Sequence, residues 1–140
     1  MDDKTYQDTK KSHDNSIAEI KELDKRLNSL APFELAKLEY LYTKVERHAW
    51  TIAGYFRNKA KYYEGMAEVS QGTAYANLRK DGKSGQDAQY EARIAKGHML
   101  TEAAGYDGQH IAWKGFALSY EGARNAIKDM IKGISTEGGA

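Results

Sequence analysis

The sequence predicts an all-α protein, and three observations carry that expectation. First, residues 84–134 place apolar or aromatic side chains every seven positions: Ala92, Met99, Tyr106, Trp113, Tyr120, Ile127 and Ile134. Three residues after the first six come Ala95, Glu102, Gln109, Phe116, Ala123 and Met130, so the row keeps 3-4 spacing and is broken only by Glu102 and Gln109. That spacing is the mark of a helix with one buried face. Second, Leu35, Leu38, Tyr42, Val45, Ala49, Ile52, Phe56, Lys59, Tyr63 and Met66 form a like row, with Lys59 its one charged member. Such a row is a coiled-coil-like seam. Third, the 140 residues hold a single proline and few alternating, strand-like runs. The architecture expected is an elongated antiparallel helical hairpin with a short N-terminal helix, held together as an oligomer.

Taken in order, residues 1–15 are polar and read as a mobile arm. Ser16 followed by Glu19 forms a capping box that opens a helix over about 17–30, with Ile17, Ile20, Leu23, Leu27 and Leu30 on one side. Pro32 breaks that helix and suits the first turn of the next, with Glu34 favourable near its N-terminus. This second helix runs from about 32 to 70. Residues 71–84, rich in small and polar side chains, read as a loop with room for one helical turn. Ser84 with Asp87 caps the last helix, expected over 85–133. A break at 103–108, where Gly105 could end one helix and Gly108 sit in a turn, is the rival arrangement. The unbroken phase of the aromatic row favours continuity. Residues 135–140 read as a loose tail, which leaves 16–134 as a single helical domain.

Composition narrows the function more by exclusion than by signal. Basic and acidic residues number 21 and 20, for a net charge of +1, so overall charge selects no partner. Cysteine is absent, which removes disulfide and thiolate chemistry and suits a reducing compartment. No apolar run is long enough to span a membrane, and the N-terminus has no signal-peptide pattern. A cytoplasmic location is expected, with no membrane partner. Gly82-Lys83-Ser84 resembles the end of a phosphate-binding loop but lacks the earlier glycine and the preceding strand. His13, His48, His98 and His110 are scattered. Asp107 and His110 have the spacing of half a di-metal motif, with no second half. No nucleophile sits in a catalytic setting. The chain is expected to be non-enzymatic, without cofactor or metal.

Two features point to binding. Residues 55–83 hold six basic groups (Arg57, Lys59, Lys61, Arg79, Lys80, Lys83) against three acidic ones (Glu64, Glu68, Asp81), an excess of +3. Tyr62 and Tyr75 lie among them, as does Tyr55. Cations that track phosphates and rings that stack on bases are the pattern of single-stranded nucleic-acid binding. A solvated tip with ordinary lysines is the plain alternative. Lys59, on the seam, should snorkel past Phe56 and Tyr63. The second feature is a row of Ile94, Gly97, Thr101, Ala104, Gly108, Ile111, Gly115, Leu118 and Gly122 on the side of the last helix opposite its aromatic row. Interior glycines weaken a helix by about 1 kcal/mol each. Their recurrence at Gly108, Gly115 and Gly122 suggests close approach of another backbone. Gly108, Ile111, Gly115, Leu118 and Gly122 are therefore the expected homo-oligomer contact.

Lys61-Tyr62-Tyr63-Glu64-Gly65 at the end of a long helix, a polar loop, and Ala123-Arg124-Asn125-Ala126-Ile127-Lys128 late in a second long helix resemble the UvsY-type recombination mediators of tailed bacteriophages. The resemblance covers residues 40–133 in layout and rests on short motifs. It implies a small all-α protein that forms rings, binds single-stranded DNA and helps load a RecA-like recombinase onto DNA covered by a single-strand-binding protein, in a host-cell cytoplasm. It also implies DNA contacts from Arg57, Lys59 and Lys61. The different reading is a phage structural or host-directed interaction protein that does not bind DNA.

Overall fold

Polar residues at the very start of the chain form a helix rather than a mobile arm. The computed structural model describes residues 1–138, as α1 (Asp3–Asp24), a 3-10 turn (Leu27–Ser29), α2 (Pro32–Lys80) and α3 (Gly85–Gly138). The described residues contain no strand. No described helix is long and apolar enough to cross a membrane. Contacts group the chain into two compact units, one of Met1–Ala53 with the chain from Ile111 onward, the other of Gly54–His110.

In the first unit, α1 begins because the Asp2 carboxylate accepts a hydrogen bond from the Thr5 amide at 2.7 Å. That satisfies one of the amides that a helix N-terminus leaves without a partner. The Thr5 side chain, together with that amide, holds the Asp2 carboxyl below its ordinary range. Ser16 is not a cap. It lies mid-helix and is 3 % exposed. The apolar spacing of Ile17 and Ile20 in fact continues backward through His13 and Lys10 to Tyr6, which is why the helix extends. α1 also ends earlier than expected, at Asp24, and the 3-10 turn follows. Pro32 then occupies the first position of α2, as its fixed φ and missing amide favour. The Glu34 carboxylate accepts from the Ala31 amide at 3.2 Å and pairs with Arg26 at 2.6 Å.

Ile20, Leu23, Leu30, Leu35, Leu38, Leu41, Val45 and Ile127 form one core across the three helical segments of this unit. Around it the Tyr42 hydroxyl donates to Asp24 at 3.1 Å, and Arg124 pairs with Glu46. Burial and the Asp24 charge push the Tyr42 hydroxyl up to about 12. Leu38 is 0 % exposed. Leu38→Ala should therefore destabilise the protein by about 2–5 kcal/mol, the range for truncating a buried leucine. A urea titration followed by circular dichroism measures this. A loss under about 1 kcal/mol would mean the site collapses around the cavity.

In the second unit the core is lined with alanine. Ala60 and Ala67 of α2 and Ala88, Ala92 and Ala103 of α3 are at most 3 % exposed. Tyr106 stacks on Phe56 and Tyr63, with ring centroids 6.2 and 5.4 Å away, and Lys96 pairs with Glu68 at 2.6 Å. The loop expected at 71–84 shrinks to residues 81–84, because α2 runs on to Lys80. Its end is set by Gly82, whose φ of +90° suits glycine. The Gly82 amide donates to the Arg79 carbonyl at 3.1 Å and the Lys83 amide to the Leu78 carbonyl at 3.0 Å. This paired pattern is a glycine-terminated helix end. Ser84 caps α3 as its spacing predicts: its hydroxyl accepts from the Asp87 amide at 3.2 Å.

α3 is continuous from Gly85 to Gly138, so the break at 103–108 does not occur and the helix passes through 135–138. The remaining tail residues, 139 and 140, lie outside the described residues. In its middle stretch the buried face of α3 differs from the expected one by a single position. Ala92, Met99, Tyr106, Trp113, Tyr120 and Ile127 are buried or half-buried as expected. Of the companions three residues on, Ala95, Ala123 and Met130 are half-buried as expected, but Glu102, Gln109 and Phe116 are exposed; there Ala103, His110 and Ala117, four residues on, are buried or half-buried instead. Alanine in the companion row fits a narrow interhelix space that Phe116 would overfill. Glu102 and Gln109 thus do not interrupt a seam. Ile134, expected on the apolar row, is also exposed, at 41 %.

Candidate nucleic-acid interface

All eight residues expected to meet DNA belong to the second unit. A helix turns about 100° per residue, so positions 18 apart return to the same azimuth, about 27 Å along the axis. Arg57, Lys61 and Tyr62 are repeated in this way by Tyr75, Arg79 and Lys80, all on α2. Continuation of α2 past residue 70 is what creates the repeat. Arg57 and Lys61 are neighbours at i, i+4. Tyr62 and Lys80 share a second azimuth, roughly 100° away from Lys61 and Arg79. The groups therefore form two cation–aromatic clusters along α2 rather than one patch at a loop.

Within these clusters, availability differs from residue to residue. Arg57, Lys61, Lys80 and Lys83 are exposed. None of the four forms an ion pair among the described residues. Tyr62 is 60 % exposed and Tyr75 39 % exposed, so each can offer part of a ring. Tyr62 also meets Tyr63 edge-on at 5.3 Å. Arg79 is committed: its guanidinium donates to the Lys83 carbonyl at 3.1 Å and braces the turn. Lys59 is half-buried, with its ammonium 5.5 Å from the Tyr55 ring centroid and 6.0 Å from that of Tyr106. Those ring contacts hold it by cation–π attraction. Tyr55, grouped by sequence with the freer tyrosines, is only 9 % exposed.

The opposing helix tempers the charge. Gly54–His110 contains eight basic residues (Arg57, Lys59, Lys61, Arg79, Lys80, Lys83, Arg93, Lys96) and seven acidic ones (Glu64, Glu68, Asp81, Asp87, Glu91, Glu102, Asp107). The excess on residues 55–83 is thus a local feature of α2 and its turn. Beside the clusters, Glu68, Gln71, Gly72, Tyr75, Gln89 and Ala92 line an open cleft.

The expected oligomer contact is equally uncovered. Ile111 is 61 % and Leu118 51 % exposed. A Cβ built on Gly108, Gly115 or Gly122 would meet nothing within 4 Å. The fold of one chain does not require these glycines. Gly97 and Gly105 are equally open.

Sequence reasoning missed a polar cluster in the first unit. His13 is 6 % exposed, and its ring nitrogens lie 2.9 Å from the Tyr120 hydroxyl and 2.9 Å from an Asp14 carboxylate oxygen. Its ring stands edge-on to Trp113 at 4.9 Å. The signal was the backward continuation of the Ile17–Ile20 row, hidden because its members are polar. His48 likewise continues the row Leu41, Val45, Ile52. No group of three or more histidine, aspartate or glutamate side chains among the described residues is placed to hold a metal ion. No protein family, curated protein or solved structure matches this chain.

Proposed function

We propose that this chain is a non-enzymatic, self-associating helical protein that binds single-stranded DNA and acts as a recombination mediator, helping to load a RecA-like recombinase. The observation that carries the reading is the pair of clusters on α2 and its turn, with Arg57, Lys61, Lys80 and Lys83 exposed and without ion-pair partners among the described residues, beside the open rings of Tyr62 and Tyr75. Cations spaced along one helix would follow a phosphate backbone, and the tyrosines would take bases without reading sequence. The recombinase step rests on the resemblance of Lys61–Gly65 and Ala123–Lys128 to the phage mediators. Coiled-coil-like seams in an antiparallel hairpin, assembled through the glycine row of α3, complete the proposal. Repetition of the α2 clusters around an oligomer would add weak contacts through multivalency.

Fluorescence anisotropy with a labelled oligothymidine across a salt series tests it. Binding at low salt should weaken with a log–log slope of about −0.7 per phosphate contact. A second reading, a phage structural or host-directed interaction protein, is favoured by the near balance of charge in the second unit and by the uncharged row Ile111, Gly115, Leu118, Gly122. Absence of binding at low salt would replace the first reading with this one.

A further inference from the structure

We propose that the N-terminal half of α1 is a proton-released clasp that covers an aromatic surface of α3 at neutral pH and leaves it in mild acid. The aliphatic core of the first unit reaches no nearer the N-terminus than Ile17. Beyond it, α1 meets α3 through a polar and aromatic set around His13 and Lys10. His13 bridges Asp14 and Tyr120 and stands against Trp113. Lys10 lies 5.8 Å from the Trp113 ring and pairs with Asp14 at 2.7 Å. Trp113, 7 % exposed, is what the clasp covers.

Two imidazoles lie at this contact, and that of His48 makes it sensitive to protons. Neutral His13 can donate from Nδ1 to Asp14 and accept the Tyr120 hydroxyl proton at Nε2. His48 of α2 is less tolerant. Its Nδ1 is buried and has no hydrogen-bond partner among the described residues. A proton there would sit without an acceptor, near Lys44, Arg47 and His13. The charged groups around the pair are Lys10 and Asp14 on α1 and Lys44 and Arg47 on α2; Tyr120 is the titratable group from α3. Asp14 is the one carboxylate among them, and Lys10 and His13 already engage it. Acid therefore adds positive charge where cations are in excess.

The direction follows from His48, whose pKa burial, Lys44, His13 and Arg47 lower from 6.5. Lys44 and Arg47 share α2 with His48 and stay beside it; the His13 contribution leaves with α1, so the docked state binds the proton less readily than the released state. Docking is therefore complete above 6.5 and weakens as pH falls toward the lowered value. Because the aliphatic core does not depend on these groups, the loss is confined to the clasp.

Hydrogen–deuterium exchange of the full-length protein, corrected for the intrinsic pH dependence of exchange, tests the clasp at about pH 7.5 and 5.5. Residues 3–14 should exchange at least about tenfold faster at the lower pH while residues 35–52 keep their protection. In a Trp50→Phe background, Trp113 emission should shift to the red over the same range. His48→Gln should move that transition to lower pH. Unchanged protection of residues 3–14 in the wild type would overturn the proposal. So would loss of 3–14 and 35–52 together, or an identical transition in a folded His13→Gln/His48→Gln protein.

Discussion

Gly115→Leu is expected to abolish self-association while making the single chain more helical. Nothing within 4 Å would obstruct a Cβ at Gly115. The substitution therefore has no steric cost inside one chain. Replacing an interior, exposed helical glycine with leucine should strengthen the helix by somewhat less than the roughly 0.8–1 kcal/mol that alanine would give. If the row of Gly108, Ile111, Gly115, Leu118 and Gly122 meets another backbone, the same leucine stands where that backbone must approach. Stability of the chain and stability of the assembly then move in opposite directions, and few other arrangements give that pair of results. Light scattering coupled to size exclusion reads the mass, and circular dichroism with thermal melting reads the helix. A wild-type mass retained by a Gly115→Leu protein that melts higher would remove this face from the interface. Gly108 and Gly122, equally open, should behave alike.

The helices were legible because their large apolar residues keep phase over many turns. Leu35, Leu38, Val45 and Ile52 announce α2, and all are at most 2 % exposed. What misled was chemistry that does not look like a core. Ala103 and Ala117 form the companion row of α3, but alanine carries too little apolar area to outvote Phe116 one position away. The middle of the row, from Glu102 to Phe116, therefore read three residues on instead of four. α1 was masked in the same way, since its buried N-terminal members are His13 and Ser16. Burying His13 goes with hydrogen bonds to its chain neighbour Asp14 and to Tyr120, the latter brought close only by the fold. Small residues from 71 to 80 suggested a loop, yet they follow directly on an established helix, and only Gly82 adopts the left-handed backbone that ends it. At the candidate interface, the identity of the cations was readable and their availability was not. Arg79 bracing the Lys83 carbonyl, Lys59 over the rings of Tyr55 and Tyr106, and the acidic residues of α3 all depend on how the two helices meet.

Removing exposed cations by cluster should separate specific DNA contact from general charge. Arg57→Ala with Lys61→Ala empties the first cluster of α2, and Lys80→Ala with Lys83→Ala empties the second beside its turn. All four side chains are exposed and form no ion pair among the described residues, so neither double change should disturb folding. Each pair, if both members neutralise phosphates, should lower the salt slope by about 1.4 and weaken binding to an oligothymidine most strongly at low salt. Tyr62→Ala should instead leave the slope unchanged and reduce affinity by about 1–3 kcal/mol, the worth of a stacked base. Lys59→Ala should have less effect on the slope than Lys61→Ala, because its ammonium is engaged with aromatic rings. Anisotropy titrations of the wild type and these variants across a salt series, with oligomeric mass checked for each, measure all of these. Equal slopes for the wild type and both double variants would place the phosphate contacts elsewhere. A strand held along α2 requires both clusters to contribute, since they lie on one helix at matching azimuths, about 27 Å apart.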